Sequence, residues 1–128
     1  MKKLTLIFTL ILSTLMFSST TFAGWTEVAR SVHGTTFYVD FERVRKHGGY
    51  TYFWQLTDYL KPLHGDFSVI KYNQTDCKLL RYKRLSFSWH KEPMGRGIGD
   101  IDSNPDKEWN YPSPKSDAEA IHVSVCSR

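Results

Sequence analysis

The chain has little cysteine, methionine or proline: two, three and five residues respectively out of 128. Two cysteines are too few for a disulfide-dense scaffold or a four-cysteine zinc site. No charge of one sign dominates: 17 basic residues face 13 acidic ones, a formal net charge of +4. A nucleic-acid binder usually shows a clustered basic stripe, so nucleic acid is not an expected partner. Beyond residue 23 no apolar run approaches the roughly 20 residues that span a bilayer. Chemistry-bearing motifs are also missing. No histidine pair has helical metal spacing, and no nucleophile elbow occurs. Gly95-Arg96-Gly97-Ile98-Gly99 lacks the strand-before, helix-after context of a dinucleotide loop and reads as a flexible turn. His33, His47, His64, His90 and His122 are scattered and read as solvated surface residues. The expectation is therefore a protein that is not an enzyme, with no catalytic residue, cofactor or metal.

The N-terminus has what the rest lacks. Met1-Lys2-Lys3 is followed by an apolar stretch from Leu4 to Phe17 and a small, polar one from Ser18 to Ala23. A basic start, an apolar middle and a small residue before the cut make a secretory signal. We expect residues 1–23 to be a cleavable signal peptide, cut before Gly24. The alternative is an uncleaved anchor, but the apolar run is short for that role. No cysteine lies near the cut, so lipid anchoring is not expected, nor is stable membrane insertion after cleavage. Residues 24–128 then form a single domain of 105 residues. Its charge falls to +2 once Lys2 and Lys3 leave, 15 basic against 13 acidic. The expected localisation is exported: periplasm, secreted or cell surface.

Outside the cytosol, Cys77 and Cys126 are most simply one disulfide; free or metal-binding thiols are the alternative. The two lie 49 positions apart. Closing such a loop stabilises a fold by about 4 kcal/mol in the chain-entropy picture.

The mature segment reads as α+β: an antiparallel sheet of about five to six strands with a C-terminal helix tied to it by the disulfide. Strands are expected at Trp25–Ser31 and Thr35–Asp40, with a turn at His33-Gly34 between them. Asp40 to Lys46 suits a short helical turn capped by Asp40 and stopped at Gly48-Gly49. Tyr50–Tyr59 is the clearest strand, with Tyr50, Tyr52, Trp54 and Leu56 on one face and Thr51, Gln55 and Thr57 on the other. A loop follows at 61–66, then a strand at Phe67–Tyr72, then a turn at Asn73–Asp76. Lys78–Trp89 is a long strand whose phase changes, which a bulge near Lys83-Arg84 would reconcile. Lys91–Pro112 reads as a loop anchored by Trp109 and Tyr111. Ser113 as N-cap and Pro114 at the first position open the helix, which presents Ala118, Ile121 and Val125 on one face. The many aromatics are expected mostly in the core.

Two basic groups are candidate binding patches: Lys78, Arg81, Lys83 and Arg84 on the long strand, and Arg43, Arg45 and Lys46 beside His47. Alternation puts Arg81 and Lys83 together, with Tyr82 and Phe87 alongside. Such a group suits an acidic polysaccharide or an acidic protein surface.

An ordered set of residues carries a resemblance: Trp25-x-x-Val28; Ser31-x-x-Gly34; Tyr38-Val39-Asp40; Val44-Arg45-Lys46 before a glycine; Trp54-x-Leu56-x-Asp58-Tyr59; Asp76-Cys77; Met94-Gly95-x-Gly97; Trp109; and Val125-Cys126. The set resembles the surface-adhesin protein E family of small exported Gram-negative domains, over nearly all of the mature chain. The resemblance implies a sheet of about six strands with a disulfide-held C-terminal helix. It also implies non-enzymatic binding of host extracellular-matrix or plasma proteins. Its quoted motifs carry over no ligand-contacting residues. The alternative is a periplasmic envelope or accessory protein that binds a bacterial partner. A homodimer stays open under either reading.

Overall fold

The computed structural model describes residues 21–22 and 24–128. The expected signal peptide up to residue 20, and Ala23 at the expected cut, lie outside the described residues. Eight strands form one antiparallel sheet: β1 (Thr21–Phe22), β2 (Trp25–Arg30), β3 (Thr36–Val39), β4 (Arg45–His47), β5 (Tyr50–Leu63), β6 (Asp66–Asp76), β7 (Arg81–His90) and β8 (Gly99–Asp102). The spatial order is β1-β2-β3-β5-β6-β7-β8, with β4 paired to the start of β5. Among the described residues one α-helix, α1 (Asp117–Cys126), follows the sheet. Among the described residues no helix is long and apolar enough to cross a membrane.

The long β5–β6 hairpin is the spine of the sheet. His64 and Gly65 form its turn with φ of 52° and 83°, the left-handed pair that a two-residue hairpin loop requires. The expected loop at 61–66 is thus mostly strand. The expected turn at Asn73–Asp76 is also strand, because Asn73 and Thr75 pair with Phe53 and Thr51 across the ladder. The helical turn after Asp40 is a single 3₁₀ turn, Phe41–Arg43, capped by Asp40 through the Glu42 amide; Arg45–His47 leave it to pair with β5. The phase change in β7 is a bulge, as expected, one residue further on: Asn73 opposes Arg84 while Tyr72 opposes Ser86, leaving Leu85 extra.

Helix α1 begins later than the sequence suggests. Its N-cap is Ser116, whose hydroxyl accepts from the Glu119 amide at 3.1 Å. Ser113 instead offers its carbonyl to the Ser116 hydroxyl at 2.6 Å. The proline at 114 therefore sits in the approach to the helix.

Helix α1 covers one face of the sheet. Ile121 and Val125 pack with Val39 and Phe53 into a buried cluster. The β5 residues sharing that face are Thr51, Gln55 and Thr57, all buried. The polar side of the β5 alternation therefore faces in, and the aromatic side faces out. Asn73 donates to Gln55 at 2.9 Å, and Gln55 donates to Thr57 at 3.1 Å, so most of these buried polar groups are paired, as burial demands. The Cys77–Cys126 disulfide fastens the end of α1 to the turn after β6.

Two histidines depart from the expected solvated role. His90 is buried, with its ring nitrogens 2.8 Å from the Ser88 hydroxyl and 3.3 Å from the Gly97 carbonyl oxygen. His122 is buried between Phe53, edge-on at 5.4 Å, and Tyr82, stacked at 4.1 Å, with Nδ1 2.8 Å from the Thr75 hydroxyl. The core aromatics are fewer than expected: among the described residues only Trp25, Tyr38 and Phe53 are buried.

Burial, helped by the charge of Lys71, pushes His122 down to about 3 from an ordinary value of 6.5. Between those values the unfolded chain takes up a proton that the folded chain refuses. Stability therefore falls as pH falls from about 6.5 towards about 3. Urea unfolding across that window is expected to show this decline, and His122→Phe is expected to flatten it. An equal slope in the variant would contradict a buried neutral imidazole.

Candidate functional site

The face opposite α1 is only partly covered. At one end Trp25, Tyr38 and Leu56 form a second buried cluster, with Ile70 and Met94 against it. A 3₁₀ turn at Pro93–Gly95 lies on this cluster. Asp58 accepts from the Met94 amide and Ser68 from the Gly95 amide, each at 2.8 Å. Gly95 has φ +69°, and a Cβ there would lie 2.7 Å from the Ile70 side chain. Only glycine allows the turn to sit so close. The predicted loop 91–112 thus contains a packed turn and a strand, β8.

Beyond that turn the face opens onto a run of half-exposed rings. Trp54 and Tyr72 lie 4.5 Å apart, and Tyr72 and Tyr52 6.1 Å apart. Tyr52 and Tyr50 are alternate residues of one strand and so share a face. Tyr50 meets Trp109 at 5.4 Å. The loop that carries Trp109 is stitched to β7 by paired backbone hydrogen bonds between Asn110 and Tyr82, at 2.8 and 2.9 Å. Tyr111, in contrast, is 65% exposed and anchors nothing in the core.

Cations stand at both ends of this run. The Arg43 guanidinium lies 5.7 Å from the Trp54 ring and is paired with Asp40. Arg81 and Lys83 lie 4.4 and 4.9 Å from the Trp109 ring. Arg81 also pairs with Asp76 at 2.9 Å. That hydrogen bond holds the Asp76 carboxyl below the usual range and raises Arg81. Lys83 has no carboxylate partner among the described residues. Arginine and lysine over aromatic faces suit acidic ligands that also offer an apolar or ring surface.

The structure sorts the seven candidate cations. Arg43, Arg81 and Lys83 share the open face, and Arg45 sits beside Tyr52 in the β4–β5 register while donating to the Glu42 and Val44 carbonyls. Lys46 is drawn to the Arg128 carbonyl at 2.8 Å. Lys78 lies exposed in the turn after Cys77. Arg84 is on the helix face, bound to Asp106 at 2.8 Å. Burial opposes the Asp106 charge, but hydrogen bonds from Arg84 outweigh it and hold that carboxyl low. Tyr82 also points to the helix face, against His122, and Phe87 shares that face past the bulge. The ring beside Arg81 and Lys83 is therefore Trp109, 26 residues further along from the nearer of them. Period-2 reading of Tyr50, Tyr52 and Trp54 marks the strip, but no local signal links Trp109 to it.

A family model for surface-adhesin protein E matches residues 25–127. The chain belongs to the surface-adhesin protein E family. The fold agrees. The structure of Haemophilus influenzae protein E superposes with a TM-score of 0.67 at 15% identity, covering 86% of this chain and 89% of that one. A second crystal form gives 0.64 at 16% identity, covering 86% and 92%. Protein E from non-typeable Haemophilus influenzae gives 0.61 at 15% identity, covering 86% and 80%. At such identities the likeness is one of fold. No curated protein matches the chain.

Trp109→Ala is expected to leave the far-UV circular dichroism intact and to cost about 1–2 kcal/mol in urea unfolding. It is also expected to speed hydrogen exchange at the Asn110 amide. Unchanged exchange there would mean that Trp109 does not anchor the loop.

Proposed function

We propose that the protein is an exported, non-enzymatic adhesin-type module whose open sheet face binds an acidic partner: a host matrix or plasma protein, or an acidic polysaccharide. Family membership supports adhesion as the general role. The observation that carries the choice of surface is the aromatic run flanked by Arg43, Arg81 and Lys83. Half-buried rings held in a rigid sheet lose little entropy on binding, and cations beside them supply steering and charge-assisted hydrogen bonds. Arg43 and Arg81 are already oriented by Asp40 and Asp76, so each arrives in a fixed geometry. Arg84 takes no part, because Asp106 occupies it on the other face.

Heparin and an immobilised matrix protein are the probes. Binding is expected to weaken with added salt, since exposed charges are screened within about 8 Å at physiological ionic strength. Arg43→Gln, Arg81→Gln and Lys83→Gln together are expected to weaken binding about tenfold or more. Arg84→Gln with Lys78→Gln is expected to leave it unchanged. Equal loss in both variants would reduce the effect to net charge and remove the open face as the site. Labelling of intact cells separates adhesion from the alternative: a protein detected only in the periplasmic extract would serve a bacterial partner.

A further inference from the structure

A cavity of about 200 Å³ lies on the other side of the sheet, between the first turn of α1 and strands β5, β6 and β7. It is independent of the open face and of the adhesion reading. One buried polar atom among its lining residues is left unpaired within the protein. Asn73 is 1% exposed. Its amide nitrogen donates to Gln55, but its Oδ1 is buried without a hydrogen-bond partner among the described residues. Native folds rarely leave such an oxygen unpaired, because the lost hydrogen bond costs about 1–3 kcal/mol.

Lys71 lines the same cavity and forms no ion pair among the described residues. Its ammonium stands 6.0 Å from the Phe87 ring. Burial, with the nearby Arg84 charge, pushes it down to about 8 although Asp106 pulls the other way, and the side chain is only partly exposed. Arg84 adds positive charge but spends its hydrogen bonds on Asp106. Asp117, the first residue of α1, brings one carboxylate acceptor. With Arg84 held by Asp106, Lys71 is the lining cation left without an ion pair among the described residues. Phe37 and Ile121 supply an apolar wall.

A ligand that completes this lining needs a single negative charge for Lys71 and a hydroxyl to donate to Asn73 Oδ1. It must also be small, since the cavity is below the roughly 300–1,000 Å³ of sites for drug-sized molecules. Water can pair with both groups but brings no counter-charge to the ammonium. A plain carboxylate satisfies the ammonium but donates nothing. We infer that this cavity is a binding site for a small hydroxylated carboxylate, of the kind a single uronic acid residue presents. The same chemistry is offered by a free sugar acid and by the acidic end of a glycan.

The test is a proton–nitrogen NMR titration of the intact protein with glucuronate, glucose and acetate. The Asn73 side-chain amide and the His122 backbone amide are expected to shift saturably with glucuronate. Glucose lacks the charge and acetate lacks the hydroxyls, so each is expected to bind about tenfold or more weakly. Lys71→Met is expected to weaken glucuronate by a similar factor, whereas the open-face variants should not change it. A glucuronate-terminated disaccharide distinguishes the sources: tighter binding points to a glycan end, weaker binding to the free acid. If Lys71→Met does not fold, the ranking of the three probes on the unaltered protein decides the matter. No saturable shift at Asn73, or an equal response to acetate, would overturn the inference.

Discussion

The attachment of α1 to one face of the β5–β6 hairpin is the constraint from which the rest follows. A helix of 10 residues is marginal alone. Here it is held at its end by the Cys77–Cys126 bond and along its length by Ile121, Val125 and His122. Its position decides which side of the sheet is interior. Given that decision, the buried side must tolerate Thr51, Gln55, Asn73 and Thr75, and it does so by pairing most of them with one another or with the helix. The other side is then left with rings that have no helix over them.

This division explains why the aromatic side of the best-patterned strand is the side left without a helix over it. Tyr50, Tyr52 and Trp54 are large enough to shield one another and the ladder beneath. The turn at Pro93–Gly95 and the Trp109 loop cover the two ends. What remains between them is a partly apolar strip flanked by cations, a surface suited to holding a partner. The helix side, by contrast, holds a small cavity lined by both polar and apolar side chains. The two faces therefore offer different chemistry at different scales.

Much of the fold was legible in the sequence. The Gly48-Gly49 turn, the β5 alternation, the bulge in β7, the terminal helix and the disulfide all rest on local patterns or on cysteine count. The misses have a common physical cause. Asn73–Asp76 looks like a turn by composition, yet its ladder partners on β5 and β7 make it strand. Ser113 resembles an N-cap, but Ser116 caps the helix, and which serine serves depends on where the helix docks. His90 and His122 look solvated because burial of a polar ring depends on neighbours distant in sequence. Within the candidate site, the cations were visible and their sorting was not. Arg81 and Lys83 could be paired by parity, whereas the removal of Arg84 to the other face depends on Asp106, and the aromatic partner arrives from Trp109 through a loop.

Hydrogen exchange on a Cys77→Ser, Cys126→Ser variant tests the central claim most directly. If the bond is what seats the helix, the amides of α1 should lose more protection than the paired amides of β5 and β6, beyond a loss shared by the whole fold that approaches about 4 kcal/mol. Helix amides that stay as protected as in the unaltered protein would show that the sheet holds the helix without the bond, and the one-sidedness of the fold would then need another cause.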